Sequence, residues 1–232
     1  MLFISILIEA LVLYLCIRLL AASCIARLRR EHGTTLSTEE LAQMVHDGKL
    51  DLTDNQAELP DEWPAGIKVL YLRGNSGNLP KQWPAEVGYL DLSGNTAELP
   101  EQWPADIEYL DLSGNSAKLP EQWPASLKSL ALNGNTAALP KQWPASITLM
   151  LNLSGNTAEL PSQWPASIPL LYLRGNTSRL PRQWPAGINT LDLRANKADL
   201  PEQWPAEVEY LYIGGNTVKL PGQYPARARI LQ

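Results

Sequence analysis

Tyrosine, aspartate and arginine recur in this chain in three columns set by a 20-residue step. The first column reads Lys49, Val69, Tyr89, Tyr109, Ser129, Met150, Leu170, Thr190 and Tyr210. The second reads Asp51, Tyr71, Asp91, Asp111, Ala131, Asn152, Tyr172, Asp192 and Tyr212, and the third Thr53, Arg73, Ser93, Ser113, Asn133, Ser154, Arg174, Arg194 and Gly214. Six of the eight tyrosines fall in these columns, which is more than scatter would place there. Tyrosine and arginine dominate the energetics of many protein interfaces, because each joins a large contact area to a polar tip. Asp91 and Asp111 beside Tyr89 and Tyr109 suit a basic or amide-rich partner. Tyr172 with Arg174 and Arg194 suits an acidic one. Together with Tyr71, Arg73, Asp192, Tyr210 and Tyr212 these residues form the predicted protein-binding set. A second reading stands beside it: tyrosine also favours strands for packing reasons alone.

Covalent chemistry has no candidates here. Catalysis needs a nucleophile or an acid–base pair with an orienting partner. From residue 49 onward the chain has neither histidine nor cysteine, and its carboxylates occur singly on a regular surface. His32 and His46 have no neighbour at metal-ligand spacing. Cys16 and Cys24 both lie in an apolar N-terminal stretch, so no disulfide framework or thiolate metal site is expected. We therefore expect no cofactor, no metal and no enzymatic activity. A net charge of −5 gives nucleic-acid binding no electrostatic support. That charge is uneven. Residues 51–121 carry 13 acidic against 4 basic side chains, and residues 122–232 carry 6 against 10, so partners can engage the two halves differently.

The columns are positioned by a repeat, L-x-L-x-x-N-x-x-x-L-P-x-x-W-P-A-x-I/V, written nine times. Its asparagines are Asn55, Asn75, Asn95, Asn115, Asn135, Asn156, Asn176, Asn196 and Asn216, and every step is 20 except the 21 between Asn135 and Asn156. A fixed period with apolar positions in phase implies a solenoid, in which stacked units bury a continuous core that one unit alone cannot. In Leu110-Asp111-Leu112 the leucines alternate with an outward residue, the period of a short strand. Gly114 supplies a permissive turn, and Asn115 is placed to satisfy loop backbone groups in a stacked ladder. Eighteen of the 19 prolines are the two in each repeat, which predicts an extended polyproline-II return path on the convex side. All eight tryptophans share one column, with Tyr224 in the ninth place, and are expected as a buried spine with Leu119 and Ile107. The extra residue near Thr148-Leu149-Met150 predicts a bulge, and Pro169 one repeat later predicts a kink or loosened ladder. No separate C-terminal cap is visible, and Arg227 and Arg229 are placed to guard the last edge.

Three segments follow: 1–30, a hydrophobic helix with a basic flank; 31–48, a linker and capping helix; and 49–232, the array. Residues 2–26 are long enough to span a bilayer but are interrupted by Glu9 and Arg18. Fourteen large aliphatic or Phe residues contribute on the order of −6 kcal/mol, and the two charges cost roughly 5 kcal/mol, leaving insertion near balance. Three readings fit. One is a single-pass signal anchor, with Arg27, Arg29 and Arg30 holding the array on the cytoplasmic side. The others are a secretory or lipoprotein signal around Ala21–Cys24, and a helix docked on the solenoid or a partner. Downstream, Ser37 with Glu40 makes a capping box, Leu41, Met44 and Val45 share a face, and Gly48 is the expected stop. This helix is expected to cover the first repeat.

The unit Leu90-Asp91-Leu92-Ser93-Gly94-Asn95 resembles the core of the leucine-rich repeat family. The 20-residue period and the leucine-proline pair resemble the repeats of bacterial type III secreted effectors, over about residues 49–232. Trp-Pro-Ala stands where those effectors usually have a second Leu-Pro, and no counterpart is seen of the ubiquitin-ligase domain that some carry. The resemblance implies a horseshoe with a parallel sheet on its concave face, used to bind proteins. Two functional expectations follow: a membrane-tethered, non-enzymatic protein-binding scaffold, or a secreted or translocated bacterial effector that binds host proteins.

Overall fold

The computed structural model describes residues 35–201, 203–216 and 223–231. The hydrophobic helix read from the sequence, with both cysteines and His32, lies outside the described residues.

The first described element is helix α1, Thr38–Met44. Its capping box forms as the sequence requires: the Glu40 N–H donates to Ser37 Oγ at 3.2 Å, and the Ser37 N–H donates to the Glu40 carboxylate at 2.9 Å. Leu41 and Leu36 are fully buried, and Met44 and Val45 pack against the core, so α1 closes the end of the first repeat. It stops at Met44, four residues before the expected Gly48, because Val45 is already extended. Asp47 and Gly48, at φ 50° and 72°, form instead a two-residue turn across which His46 and Lys49 exchange both backbone hydrogen bonds. That turn type needs two left-handed residues, and Asp-Gly provides them.

Ten three-residue strands follow: β1 Lys49–Asp51, β2 Val69–Tyr71, β3 Tyr89–Asp91, β4 Tyr109–Asp111, β5 Ser129–Ala131, β6 Met150–Asn152, β7 Leu170–Tyr172, β8 Thr190–Asp192, β9 Tyr210–Tyr212 and β10 Arg229–Leu231. They form one parallel sheet in chain order. The register sets leucine beside leucine from Leu50 to Leu211, with Ile230 closing the row. Nine repeats thus yield ten strands. Arg229, read from the sequence as a guard of the last edge, itself belongs to the last strand.

Both leucines of each strand region and the apolar residue before it are buried, as Ile107, Leu110 and Leu112 show. A glycine after each strand takes the left-handed conformation, φ 70° at Gly114. Asp54 and Ala195 occupy the same place at φ 56° and 52°, where side chains are strained. The repeat asparagines from Asn55 to Asn196 are completely buried. Each mainly serves its own turn: Asn115 Nδ2 donates to the Ala117 carbonyl at 2.8 Å. Among the described residues, bonds between the side chains of successive asparagines are long, 3.4 Å from Asn55 to Asn75 and 3.3 Å from Asn176 to Asn196, while the Asn196 N–H donates to Asn216 Oδ1 at 2.7 Å. The ladder is therefore mostly within repeats.

No helix forms on the return path among the described residues, as the paired prolines dictate. The tryptophans pack on the core but are half-buried, short of the buried spine expected. The Trp63, Trp83, Trp184 and Trp204 indoles donate to the carbonyls of Gln82, Gln102, Gln203 and Gln223 in the next repeat, at the surface, whereas the N–H groups of Trp103, Trp123, Trp143 and Trp164 are buried without a protein partner among the described residues. The long repeat also differs from expectation. Its extra residue is absorbed between Ile147 and Met150, leaving Leu149 half-exposed, and the β5–β6 and β6–β7 registers run on unbroken. Elsewhere two successive N–H groups share one carbonyl, as Asn189 and Thr190 share Pro169 O, whereas Leu149 O receives only the Leu170 N–H because Pro169 has none. The loss stays local.

Candidate protein-binding face

Strand alternation decides which side chains leave the core. With each central leucine inward, the flanking residues of every strand face outward, and these are the first two columns of the sequence. The third column extends that surface past the strand ends.

Three rings line up at the N-terminal side. Tyr71 and Tyr89 lie 5.7 Å apart and tilted. Tyr89 and Tyr109 are stacked, with centroids 4.4 Å apart and planes within 2°. The register that pairs Tyr89 with Tyr109 fixes this stack. Burial raises both phenols above the ordinary tyrosine value, Tyr109 the more, and the neighbouring Asp91 and Asp111 carboxylates add to it. Both rings therefore stay neutral donors at physiological pH.

The aspartate column does work that the sequence did not reveal. Asp91 Oδ1 accepts the Ser93 N–H, Asp111 Oδ1 the Ser113 N–H, and Asp192 Oδ1 the Arg194 N–H, at 2.8, 2.8 and 3.0 Å. Asn152 does the same for Ser154 at 3.0 Å. Each side chain thus holds the bend leaving its strand, an Asx turn. The signal was available: Asp and Asn are the side chains that most strongly bond a backbone N–H two residues on.

Two of these aspartates also have cations. Arg73 Nη2 lies 3.0 Å from Asp91 Oδ2, and the hydrogen bond and charge of Asp91 raise the guanidinium above its ordinary value. Asp91 is 1% exposed, so it is the exposed Arg73 guanidinium that the pair presents to solvent. Arg194 grips Asp192 with Nη2 at 2.6 Å and Nε at 3.0 Å, which likewise raises it. Its guanidinium also sits 5.1 Å from the centre of the Tyr212 ring. The expected cluster of Tyr172, Arg174 and Arg194 is accordingly divided: Arg194 turns to Asp192 and Tyr212, while Arg174 is exposed and, among the described residues, has no ion pair. Arg229, a cation supplied by the tenth strand, lies 5.9 Å from the centre of the Tyr210 ring.

Asp111 stands apart. Burial raises its carboxyl above the usual range, with the Ser113 hydroxyl and N–H opposing that shift. An open cleft of about 840 Å³ lies elsewhere, on the return path between Arg179 and Gln203, and holds none of the column residues. Among the described residues, no group of three or more His, Cys, Asp or Glu could hold a metal ion. No helix among them is long and apolar enough to cross a membrane.

No family model matches the chain, and no curated protein matches it. Solved structures do. YopM from Yersinia enterocolitica WA-314 aligns over 74% of this chain and 44% of its own, with 21% identity and a TM-score of 0.51. YopM from Yersinia pestis, described as a leucine-rich effector protein, aligns over 79% of this chain and 65% of its own, with 21% identity and a TM-score of 0.51. The chain therefore spans less than two thirds of either relative. At this identity the likeness is one of fold: a parallel-strand solenoid of leucine-rich repeats.

Proposed function

We propose that this protein is a non-enzymatic binding scaffold that docks a protein on its strand face, the concave side of the solenoid. One observation carries the reading: six of the eight tyrosines gather in the outward columns, whereas the equally variable exposed positions of the return path, such as Lys81, Glu101, Ser162 and Arg182, carry none. Tyrosine gathered on one outward face is what a protein interface uses. The two aromatic stations, Tyr71–Tyr89–Tyr109 and Tyr210–Tyr212, are the anchors, with Tyr172 between them.

Of the two settings, the secreted or translocated bacterial effector is the better supported. Its support is the leucine-rich effector from Yersinia pestis that shares the fold. In this reading residues 2–26 serve delivery or host-membrane association. The membrane-tethered setting makes a different prediction on fractionation: the protein would stay with membranes after carbonate extraction and be absent from the culture supernatant.

The binding face is tested by affinity capture with the triple variant Tyr89→Ala, Tyr109→Ala, Tyr172→Ala. Loss of the captured partners with an unchanged melting profile is the expected result. Undiminished recovery would reject the strand face as the docking surface.

A further inference from the structure

Asp111 differs from its paired column neighbours in having no cation against it. Asp91 has Arg73 at 3.0 Å and Asp192 has Arg194 at 2.6 Å. The Asp111 carboxylate is met by the Ser113 N–H at 2.8 Å and, among the described residues, by no lysine or arginine within ion-pair distance. Arg73 acts on it only weakly, through space. The nearest lysine along the next strand, Lys128, is held by Glu108 at 2.5 Å.

The adjacent ring is half covered. Tyr89 stacks on one face of Tyr109. On the other side the column continues with Ser129, which pairs with Tyr109 and is too short to cover a ring. Asp111 pairs likewise with Ala131. Ser129 and Ala131 are the smallest residues of their columns, so the strand face is lowest at β5, between Tyr109 and Asp111 on one side and Met150 and Asn152 on the other. Two strand spacings separate the flanking backbones by about 10 Å.

The same chain shows what completes such a site. At β8–β9 a carboxylate, a guanidinium and a tyrosine ring meet as Asp192, Arg194 and Tyr212. At β4 the chain supplies the carboxylate and the ring.

Given the strand-face reading on which this rests, we infer that the recess over β5 receives a cationic side chain of the partner, an arginine in preference to a lysine. Its guanidinium lies on the free face of Tyr109 and against Asp111. A planar guanidinium can stack and pair at once, and an ammonium cannot. The acidic excess of residues 51–121 draws a basic segment to this half. Met150 offers an apolar wall to the arginine stem.

The test uses the full chain and a fluorescently labelled tetra-arginine peptide, with its citrulline counterpart as the uncharged control. Binding is read by anisotropy at low salt. Asp111→Asn is the decisive variant, since Asn152 already makes the same turn bond and shows that the fold accepts the amide. The expected results are binding of the arginine peptide, about tenfold weaker binding of the citrulline peptide, and about tenfold loss in Asp111→Asn. Glu101→Gln removes an exposed charge on the return path of the same half and is expected to change affinity by less than about twofold. Equal affinity of Asp111→Asn and the unaltered protein would overturn the inference, and so would an equal loss in Glu101→Gln. If the unaltered protein ignores tetra-arginine while the triple tyrosine variant still loses its partners, the recess falls and the binding face stands.

Discussion

Asp111 carries a cost that its neighbours avoid, and that cost is measurable. Burial raises its folded pKa above the unfolded value, so the folded state holds the proton more tightly. The sign follows: Asp111 opposes folding at neutral pH, and the opposition fades as pH falls through its folded pKa. Asp111→Asn is therefore expected to be more stable than the unaltered protein at pH 7, with the gain shrinking as the pH is lowered toward 4. Denaturant melts at the two pH values check this, and a destabilised variant at pH 7 would contradict it. A site that is strained alone and relieved by a partner's cation behaves in this way. Buried Asn115 makes the opposite case. Replacing it with alanine strips the Ala117 carbonyl of its donor and is expected to cost about 1–3 kcal/mol in a reversible melt. An unchanged midpoint would show that water replaces the amide.

The turn between strand and return path is the element that the sequence states most fully. Leucine spacing, glycine and asparagine all name it, and the strands fall on the residues that alternation requires. Ala195 and Asp54 are the exceptions within the array, left-handed residues with a Cβ. Ala195→Gly is expected to stabilise by about 0.5–1 kcal/mol, measured as a shift in denaturant midpoint. No shift would mean that the turn relaxes around alanine. The tryptophan column was less legible. Repetition marks those residues as structural, but it cannot distinguish a buried ring from one lying along a surface ridge. Because the rings are half-buried, Trp123→Ala is expected to cost about 2–3 kcal/mol, less than full burial would imply. A cost under about 1 kcal/mol in the same melt would remove the column from the core altogether. The end of α1 was misread for a related reason: Gly48 does terminate something, but it is a two-residue hairpin turn and not the helix.

Across the whole molecule, ten parallel strands at about 4.8 Å make a wall roughly 43 Å long. Its core was legible because every repeat says the same thing. Its strand face was legible only as a set of columns, because pairing depends on which neighbour each side chain turns to. Arg73 chooses Asp91 in the next repeat, whereas Arg194 chooses Asp192 in its own. No spacing rule separates these two outcomes. The tenth strand escaped notice because Arg229-Ile230-Leu231 departs from the Leu-x-Leu spacing that marks the others. The outcome is a wall whose acidic, ring-lined half and arginine-capped half differ in surface chemistry.

Site-specific photo-cross-linking tests that account most directly. A benzophenone amino acid is placed at Tyr172 or Thr190 on the strand face, and at Gln122 or Gln163 on the exposed return path. Partner adducts from the two strand-face positions and none from the return path are the predicted result. Adducts from the return path alone, or equally from both, would show that the variable columns are not where this solenoid meets its partner.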